Sequence, residues 1–175
     1  MRTIIICVTL LAANLSGFAQ PYEHQFLVKV GDTAPDFVIN ETSGKLYKLS
    51  DLRGSVVMLQ FTASWCSVCI KEMPFIEEEI WQVGKNKGLK VIGIDLDEPI
   101  DKVKEFAKRT KVTYPLALDP EGAIFYQYAQ KPAGVTRNVI VDRNGKIIAL
   151  TRLFNKDEFD NMKKIIFEEL DKKSE

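Results

Sequence analysis

Two cysteines, Cys66 and Cys69, are the residues of this sequence whose type and spacing best suit chemistry. They stand between a short apolar run and a segment with helical spacing, so the sequence predicts a strand, the pair and then a helix. Cys66 then lies at or near the helix N-cap, where unpaired N–H groups and the helix dipole stabilise a thiolate. The pair therefore predicts thiol–disulfide exchange: the Cys66 thiolate attacks a partner disulfide, and Cys69 resolves the mixed disulfide.

Other uses of the pair need partners that the sequence supplies poorly. A structural zinc site needs about four ligands, and beyond position 20 the cysteines and histidines are Cys66, Cys69 and His24. An iron–sulfur cluster fails for want of the same ligands. Two buried core cysteines without a redox role remain an alternative. We expect no metal, and no cofactor other than a redox-active Cys66–Cys69 disulfide.

The first residues have the pattern of a secretory signal peptide. An arginine precedes the apolar run 4–13, and Gly17 and Ala19 are small residues at the positions that a signal peptidase reads. The run is shorter than the roughly 20 apolar residues of a membrane-spanning helix, which disfavours an uncleaved anchor. We expect cleavage after Ala19, so that residues 1–19, with Cys7, form a signal peptide.

Composition indicates an ordinary soluble globular protein. The chain is 46% hydrophobic and 27% charged, and its formal net charge is zero. A neutral chain gives no support for a nucleic-acid partner. The sequence has no repeat and no composition break, so we expect residues 20–175 to form one domain, which we expect to be monomeric. The expected signal peptide places it in the periplasm or another extracytoplasmic compartment.

The elements that must position the pair follow from the apolar patterning. Short apolar runs predict buried strands, an Asn-Gly pair predicts a hairpin, and helical spacing predicts helices. In chain order these are a hairpin of Phe37–Ile39 and Lys45–Leu49, a strand 55–61, a helix from near Cys66 to before Gly88, a strand 89–94, a helix after Pro99, a strand 114–118, a short helix 123–128, hairpin strands 139–141 and 147–150, and a helix through 159–170. This order predicts an α/β fold, a central mixed sheet with helices on both faces and an N-terminal hairpin.

Several segments resemble one family. Residues 61–69, FTASWCSVC, resemble the active-site segment of thioredoxins, and specifically of the exported TlpA/ResA-like branch of thiol–disulfide oxidoreductases. Residues 31–37 and 50–54 are similar to two further landmarks of that branch, and Pro74 matches its helix-kinking proline. The resemblance covers about residues 30–172. It implies a thioredoxin-like three-layer fold. It also implies a protein-disulfide reductase whose partners are exported protein thiols or disulfides and a membrane thiol electron donor.

Two positions near the pair bear on its acid–base chemistry. Thioredoxins carry a buried aspartate on the strand before the active site, and Gln60 stands at the matching position. Members of the ResA-like branch carry a glutamate three residues after the second cysteine, and Glu72 matches it. The resemblance therefore implies that Glu72 is the acid–base group that tunes the pair. The alternative is a first-turn glutamate that only favours the helix dipole.

The main departure from the family is Thr136, which stands where the family has a cis-proline facing the disulfide. A cis bond before a residue other than proline costs roughly 2.5–4 kcal/mol, so we expect a trans Val135–Thr136 bond. We also expect the Thr136 hydroxyl to face Cys66. The resemblance implies that Val135, Thr136 and Trp65 contact substrate, although Trp65 could equally pack under the loop.

Two other functions compete with protein-disulfide reduction. A thiol peroxidase of peroxiredoxin type shares the opening segment, but its threonine stands three residues before the cysteine, where this chain has Ala63. A non-catalytic binding module is the second alternative, because the family's cis-proline is missing. Peroxide consumption tests the first, and insulin reduction by dithiothreitol tests the second.

Overall fold

The computed structural model describes residues 25–172. The expected signal peptide, Cys7 and His24 lie outside this range and stay predictions. None of the helices between residues 25 and 172 combines the length and the apolar character of a membrane-spanning segment.

A five-stranded mixed sheet forms the centre, as the sequence predicts. Its strands are β3 (Val56–Thr62), β4 (Leu89–Leu96), β5 (Leu116–Asp119), β6 (Arg137–Val141) and β7 (Ile147–Arg152), and a separate hairpin is formed by β1 (Val38–Asn40) and β2 (Leu46–Lys48). The sheet order is β5-β4-β3-β6-β7, with β3, β4 and β5 parallel and with β6 antiparallel to both β3 and β7. Every residue of β3 and β6 is buried, because these strands are covered on both faces.

Helices and the hairpin cover the two faces, giving the expected three layers. The helices are α1 (Ser67–Phe75), α2 (Gln82–Gly84), α3 (Ile100–Thr110), α4 (Phe125–Tyr128) and α5 (Lys156–Asp171). Met58 of β3 packs in one core cluster with residues of α1, α3 and α5. Its neighbour Leu59 points to the opposite cluster, with the hairpin and α4. The active-site end of the sheet is thus held between two apolar layers.

The helix after the cysteines differs from its prediction. Instead of one α-helix ending before Gly88, α1 passes into a π-helix over Ile76–Trp81 and then into α2. Pro74 has no N–H to donate to the Ile70 carbonyl, so one hydrogen bond of the helix is missing. The hydrogen bonds that follow span five residues instead of four. The expected disturbance at Pro74 therefore takes the form of a wider helical turn.

Candidate active site

Cys66 and Cys69 form a disulfide at the start of α1, with their Cα atoms 5.3 Å apart. Cys66 is the N-cap residue, and its sulfur accepts a hydrogen bond from the Cys69 backbone N–H at 3.1 Å. Cys66 is 7% exposed and Cys69 is fully buried. The structure therefore places Cys66 at the helix terminus, as predicted, and makes it the more accessible sulfur.

The loop that delivers Cys66 is held by two residues that sequence reasoning missed. Glu98 accepts hydrogen bonds from the Ser64 N–H at 2.5 Å and from the Ser64 hydroxyl at 2.7 Å. Arg109 donates to the Ser64 carbonyl at 2.7 Å. The one available signal was that Glu98 follows β4, whose carboxyl end meets the same sheet edge as the end of β3. These contacts fix the backbone two residues before Cys66.

Thr136 lies directly against the disulfide. Its Oγ1 is 3.1 Å from the Cys66 Sγ and 3.3 Å from the Cys69 Sγ. The Val135–Thr136 bond is trans, and the cis bond within residues 25–172 is Lys131–Pro132. Both expectations for Thr136, the trans bond and a hydroxyl facing Cys66, are confirmed.

The two other residues expected to contact substrate differ in their exposure. The Trp65 side chain is 64% exposed, so it lies on the rim beside Cys66 and does not pack under the loop. Val135 is 4% exposed and belongs to the core cluster that contains both cysteines. A partner arriving at Cys66 therefore meets the exposed indole, while Val135 lies beneath the surface.

Glu72 is a buried carboxylate one helical turn beyond Cys69. It is 2% exposed, which rules out a surface residue that only favours the helix dipole. Its Oε1 accepts a hydrogen bond from the Asn138 Nδ2 at 2.7 Å. Burial raises the pKa of Glu72 to about 7, and the hydrogen bond from Asn138 limits that rise. Glu72 is therefore divided between its two protonation states near neutral pH.

A polar network unites Glu72 with both neighbouring strands. Gln60 of β3 stands opposite Asn138 of β6, and the Tyr114 hydroxyl donates to the Gln60 Oε1 at 2.8 Å. Asn138 also donates to the Thr151 Oγ1 at 3.0 Å. Gln60 cannot take a proton, and burial raises the pKa of the Tyr114 hydroxyl, so Glu72 is the member of this group that titrates near neutral pH.

Asp95, at the carboxyl end of β4, is a second buried acid that the sequence did not reveal. It is fully buried, and neither oxygen has a hydrogen-bond partner among residues 25–172. Burial raises its pKa to about 8, and the nearby carboxylate of Glu98 adds to the rise. Asp95 stands opposite Thr62, the last residue of β3 before the active-site loop. Within the described range, no three His, Cys, Asp or Glu side chains are placed to hold a metal ion.

Comparisons with known proteins agree with this geometry. The Redoxin family model matches residues 29–166. The chain is 33% identical over 147 residues to the thiol-disulfide oxidoreductase ResA of Geobacillus thermodenitrificans, covering 84% of this chain and 83% of that protein. It is 28% identical over 148 residues to the protein of that name from Bacillus subtilis, covering 85% and 81%.

Two solved structures are also similar. One is the solution structure of a candidate protein disulfide isomerase from Bacteroides thetaiotaomicron, 57% identical with a TM-score of 0.82, covering 85% of this chain and 94% of that one. The other is the crystal structure of a candidate thiol:disulfide interchange protein DsbE from Chlorobium tepidum. It is 30% identical with a TM-score of 0.72, covering 82% of this chain and 99% of that one.

Proposed function

We propose that this chain, which belongs to the Redoxin family as a thiol–disulfide oxidoreductase of thioredoxin-like fold, reduces disulfides of exported proteins. The observation that carries the proposal is the Cys66–Cys69 disulfide at the N-terminus of α1, with Cys66 the more exposed sulfur. A helix N-terminus stabilises a thiolate, and the thiolate is the nucleophile of disulfide exchange. The protein acts as a monomer, and the disulfide is its redox group.

The reaction transfers two electrons from the dithiol to the partner. The Cys66 thiolate attacks one sulfur of the partner disulfide, and the other partner sulfur leaves as a thiolate. The deprotonated Cys69 sulfur then attacks the Cys66 sulfur and releases the second partner thiolate. The partner disulfide is thereby reduced and Cys66–Cys69 is oxidised. A thiol donor at the membrane returns the pair to the dithiol.

Glu72 takes part in the second step. Cys69 must lose its proton before it can attack, and it is fully buried. Glu72 is one turn further along α1, and its pKa of about 7 suits a group that accepts a proton near neutral pH. Asn138 orients the carboxylate that receives this proton.

The proposed substrate surface beside Cys66 has an exposed rim and a buried floor. The exposed indole of Trp65 offers apolar area to an approaching chain. Val135 and Thr136 form the buried floor, and their loop brings the Thr136 hydroxyl to the sulfurs. A partner with apolar side chains next to its cystine suits this surface.

The reducing direction and the extracytoplasmic location rest on the resemblance and on the pattern of residues 1–19. The direction is tested by the equilibrium of the purified protein with glutathione. A protein that is more readily oxidised than glutathione supports a reductant, and a strongly oxidising pair contradicts one. Secretion of the full chain, with an N-terminus beginning at Gln20, tests the location.

The activity itself is tested by insulin reduction with dithiothreitol as electron source. We expect turnover by the wild type and loss of turnover in C66S. No turnover above the dithiothreitol background would leave a binding module as the better account. Peroxide consumption that depends on Cys66 and exceeds disulfide reduction would favour a thiol peroxidase.

A further inference from the structure

The Thr136 hydroxyl is a buried polar group whose oxygen lies within hydrogen-bond distance of both cysteine sulfurs. Thr136 is 5% exposed, and its Oγ1 lies 3.1 Å from the Cys66 Sγ and 3.3 Å from the Cys69 Sγ. No other hydrogen-bond partner of this hydroxyl is found among residues 25–172. The sulfurs of the Cys66–Cys69 disulfide carry no proton, so the hydroxyl is the donor in both contacts.

We propose that the Thr136 hydroxyl is a catalytic hydrogen-bond donor that stabilises the Cys66 thiolate and thereby sets the redox equilibrium of the pair. The proposal deepens the proposed function, on which it rests. It assigns Thr136 to the reacting sulfurs themselves, in addition to the floor of the substrate surface.

The two oxidation states offer this hydroxyl very different acceptors. The sulfur of a disulfide is a weak acceptor, so the oxidised protein satisfies the buried hydroxyl poorly. A thiolate accepts a charge-assisted hydrogen bond, which is about twice as strong as a neutral one. The hydroxyl thus stabilises the reduced state with an ionised Cys66 more than it stabilises the disulfide. The effect is on protonation, and the number of electrons transferred does not change.

The Thr136 hydroxyl adds to a donor already present. The Cys69 backbone N–H points at the Cys66 sulfur at 3.1 Å from the helix side, and the hydroxyl approaches from the loop of Val135 and Thr136. The loop is held in place because the Thr136 carbonyl accepts a hydrogen bond from the Leu153 N–H at 3.1 Å. A proline at this position has neither an N–H nor a hydroxyl to offer.

The same donor reaches both sulfurs. A hydroxyl proton rotates about its C–O bond, and both sulfurs lie within reach of the Thr136 oxygen. When the charge moves from Cys66 to Cys69 during exchange, the hydroxyl can follow it without any movement of the backbone. This suits a residue that serves the pair in both reaction steps.

The test compares Thr136→Val, which keeps the branched shape and removes the hydroxyl, with Thr136→Ser, which keeps the hydroxyl. Three quantities are measured on the purified protein: the ultraviolet absorbance of the thiolate, the rate of Cys66 alkylation by iodoacetamide at neutral pH, and the equilibrium with glutathione. Loss of one hydrogen bond to a charged group predicts an alkylation rate about tenfold lower and a glutathione equilibrium about tenfold further towards the disulfide in the Val variant. The Ser variant should restore the alkylation rate and the glutathione equilibrium to within about threefold of the wild type.

A Val variant with wild-type thiolate absorbance and wild-type glutathione equilibrium would overturn the proposal. So would a Ser variant that behaves like the Val variant, because packing of the methyl group would then be the cause. Thr136→Ala supplies a second hydroxyl-free variant if the Val variant does not fold. None of these measurements uses a protein substrate. A wild type that fails to exchange with glutathione therefore refutes the proposed function, whereas a Val variant equal to a functioning wild type refutes this inference alone.

Discussion

Asn138 of β6 donates its side-chain N–H to the Glu72 carboxylate of α1 at 2.7 Å, and both residues are buried. The contact joins the helix that carries the cysteines to the strand that follows Thr136. It places an acid with a pKa of about 7 inside the protein, held by a neutral amide. Several of the expected outcomes depend on this pair.

Glu72→Gln should make the free energy of unfolding less dependent on pH. The folded protein keeps a proton on Glu72 up to a pKa of about 7, whereas an unfolded chain releases it near 4.5. The wild type therefore has this stabilisation below about pH 4.5 and loses up to about 3 kcal/mol of it as pH rises to 7. Urea unfolding of the oxidised protein between about pH 4 and pH 8 should show a flatter profile for E72Q.

The matched control is Glu78→Gln, an exposed glutamate on the same helical segment. Its pH profile should follow that of the wild type. In the reduced protein, E72Q should also alter the pH dependence of thiol alkylation. Identical stability and alkylation profiles for E72Q and the wild type would remove Glu72 from the mechanism.

Asn138→Ala should raise the pKa of Glu72 further, because the Asn138 hydrogen bond lowers it against the effect of burial. Carbon NMR of the Glu72 carboxyl group measures this directly. Thr151→Val is the control, because it removes the other acceptor of the Asn138 amide and leaves the Glu72 contact in place. A lower pKa in the N138A variant would contradict the assignment.

Asp95→Asn should stabilise the protein, and increasingly so as the pH rises. Asp95 holds its proton in the folded state up to a pKa of about 8, whereas an ordinary aspartate carboxyl loses it near 3.8. The protonated carboxyl therefore contributes its full share to the free energy of unfolding below about pH 4, and this contribution is lost by about pH 8. The gain of D95N over the wild type should grow across that window and stay constant above it. Asp101→Asn, at an exposed position on α3, controls for the lost charge. Parallel unfolding profiles for D95N and the wild type would show that Asp95 does not titrate as inferred.

Cys69→Ser should accumulate mixed disulfides with partners, whereas Cys66→Ser should accumulate none. The reason is that Cys66, at the helix terminus, is the more accessible sulfur, whereas Cys69 is fully buried. Non-reducing electrophoresis of cells that express each variant measures the trapped species, with the double variant as the blank. Equal trapping by the two single variants would show that the roles are not divided in this way.

Local patterns in the sequence were sufficient for the fold and the redox pair. The apolar runs specify the strands, and the helical spacing after Cys69 places Cys66 at an N-terminus. The position of the Thr136 hydroxyl followed from the family resemblance, because that position faces the disulfide there.

The supporting residues could not be predicted, because each depends on contacts between distant segments. Glu98 binds Ser64 across 34 positions, and Asn138 reaches Glu72 across 66. Which residue faces Glu72 is decided by the register of β6 on β3, where a slip of one residue would turn Asn138 to the other face. In the sequence, Asp95 is only the polar residue near the end of an apolar strand, and its burial depends on the assembled sheet.

The distance along the chain between the cysteines and Thr136 has a consequence for biosynthesis. Cys66 and Cys69 emerge together, but the hydroxyl that faces them comes 70 positions after Cys66. At about 5–20 residues per second, a growing chain carries its dithiol without this donor for on the order of ten seconds. The Thr136 hydroxyl therefore reaches the two sulfurs only when β6 pairs with β3.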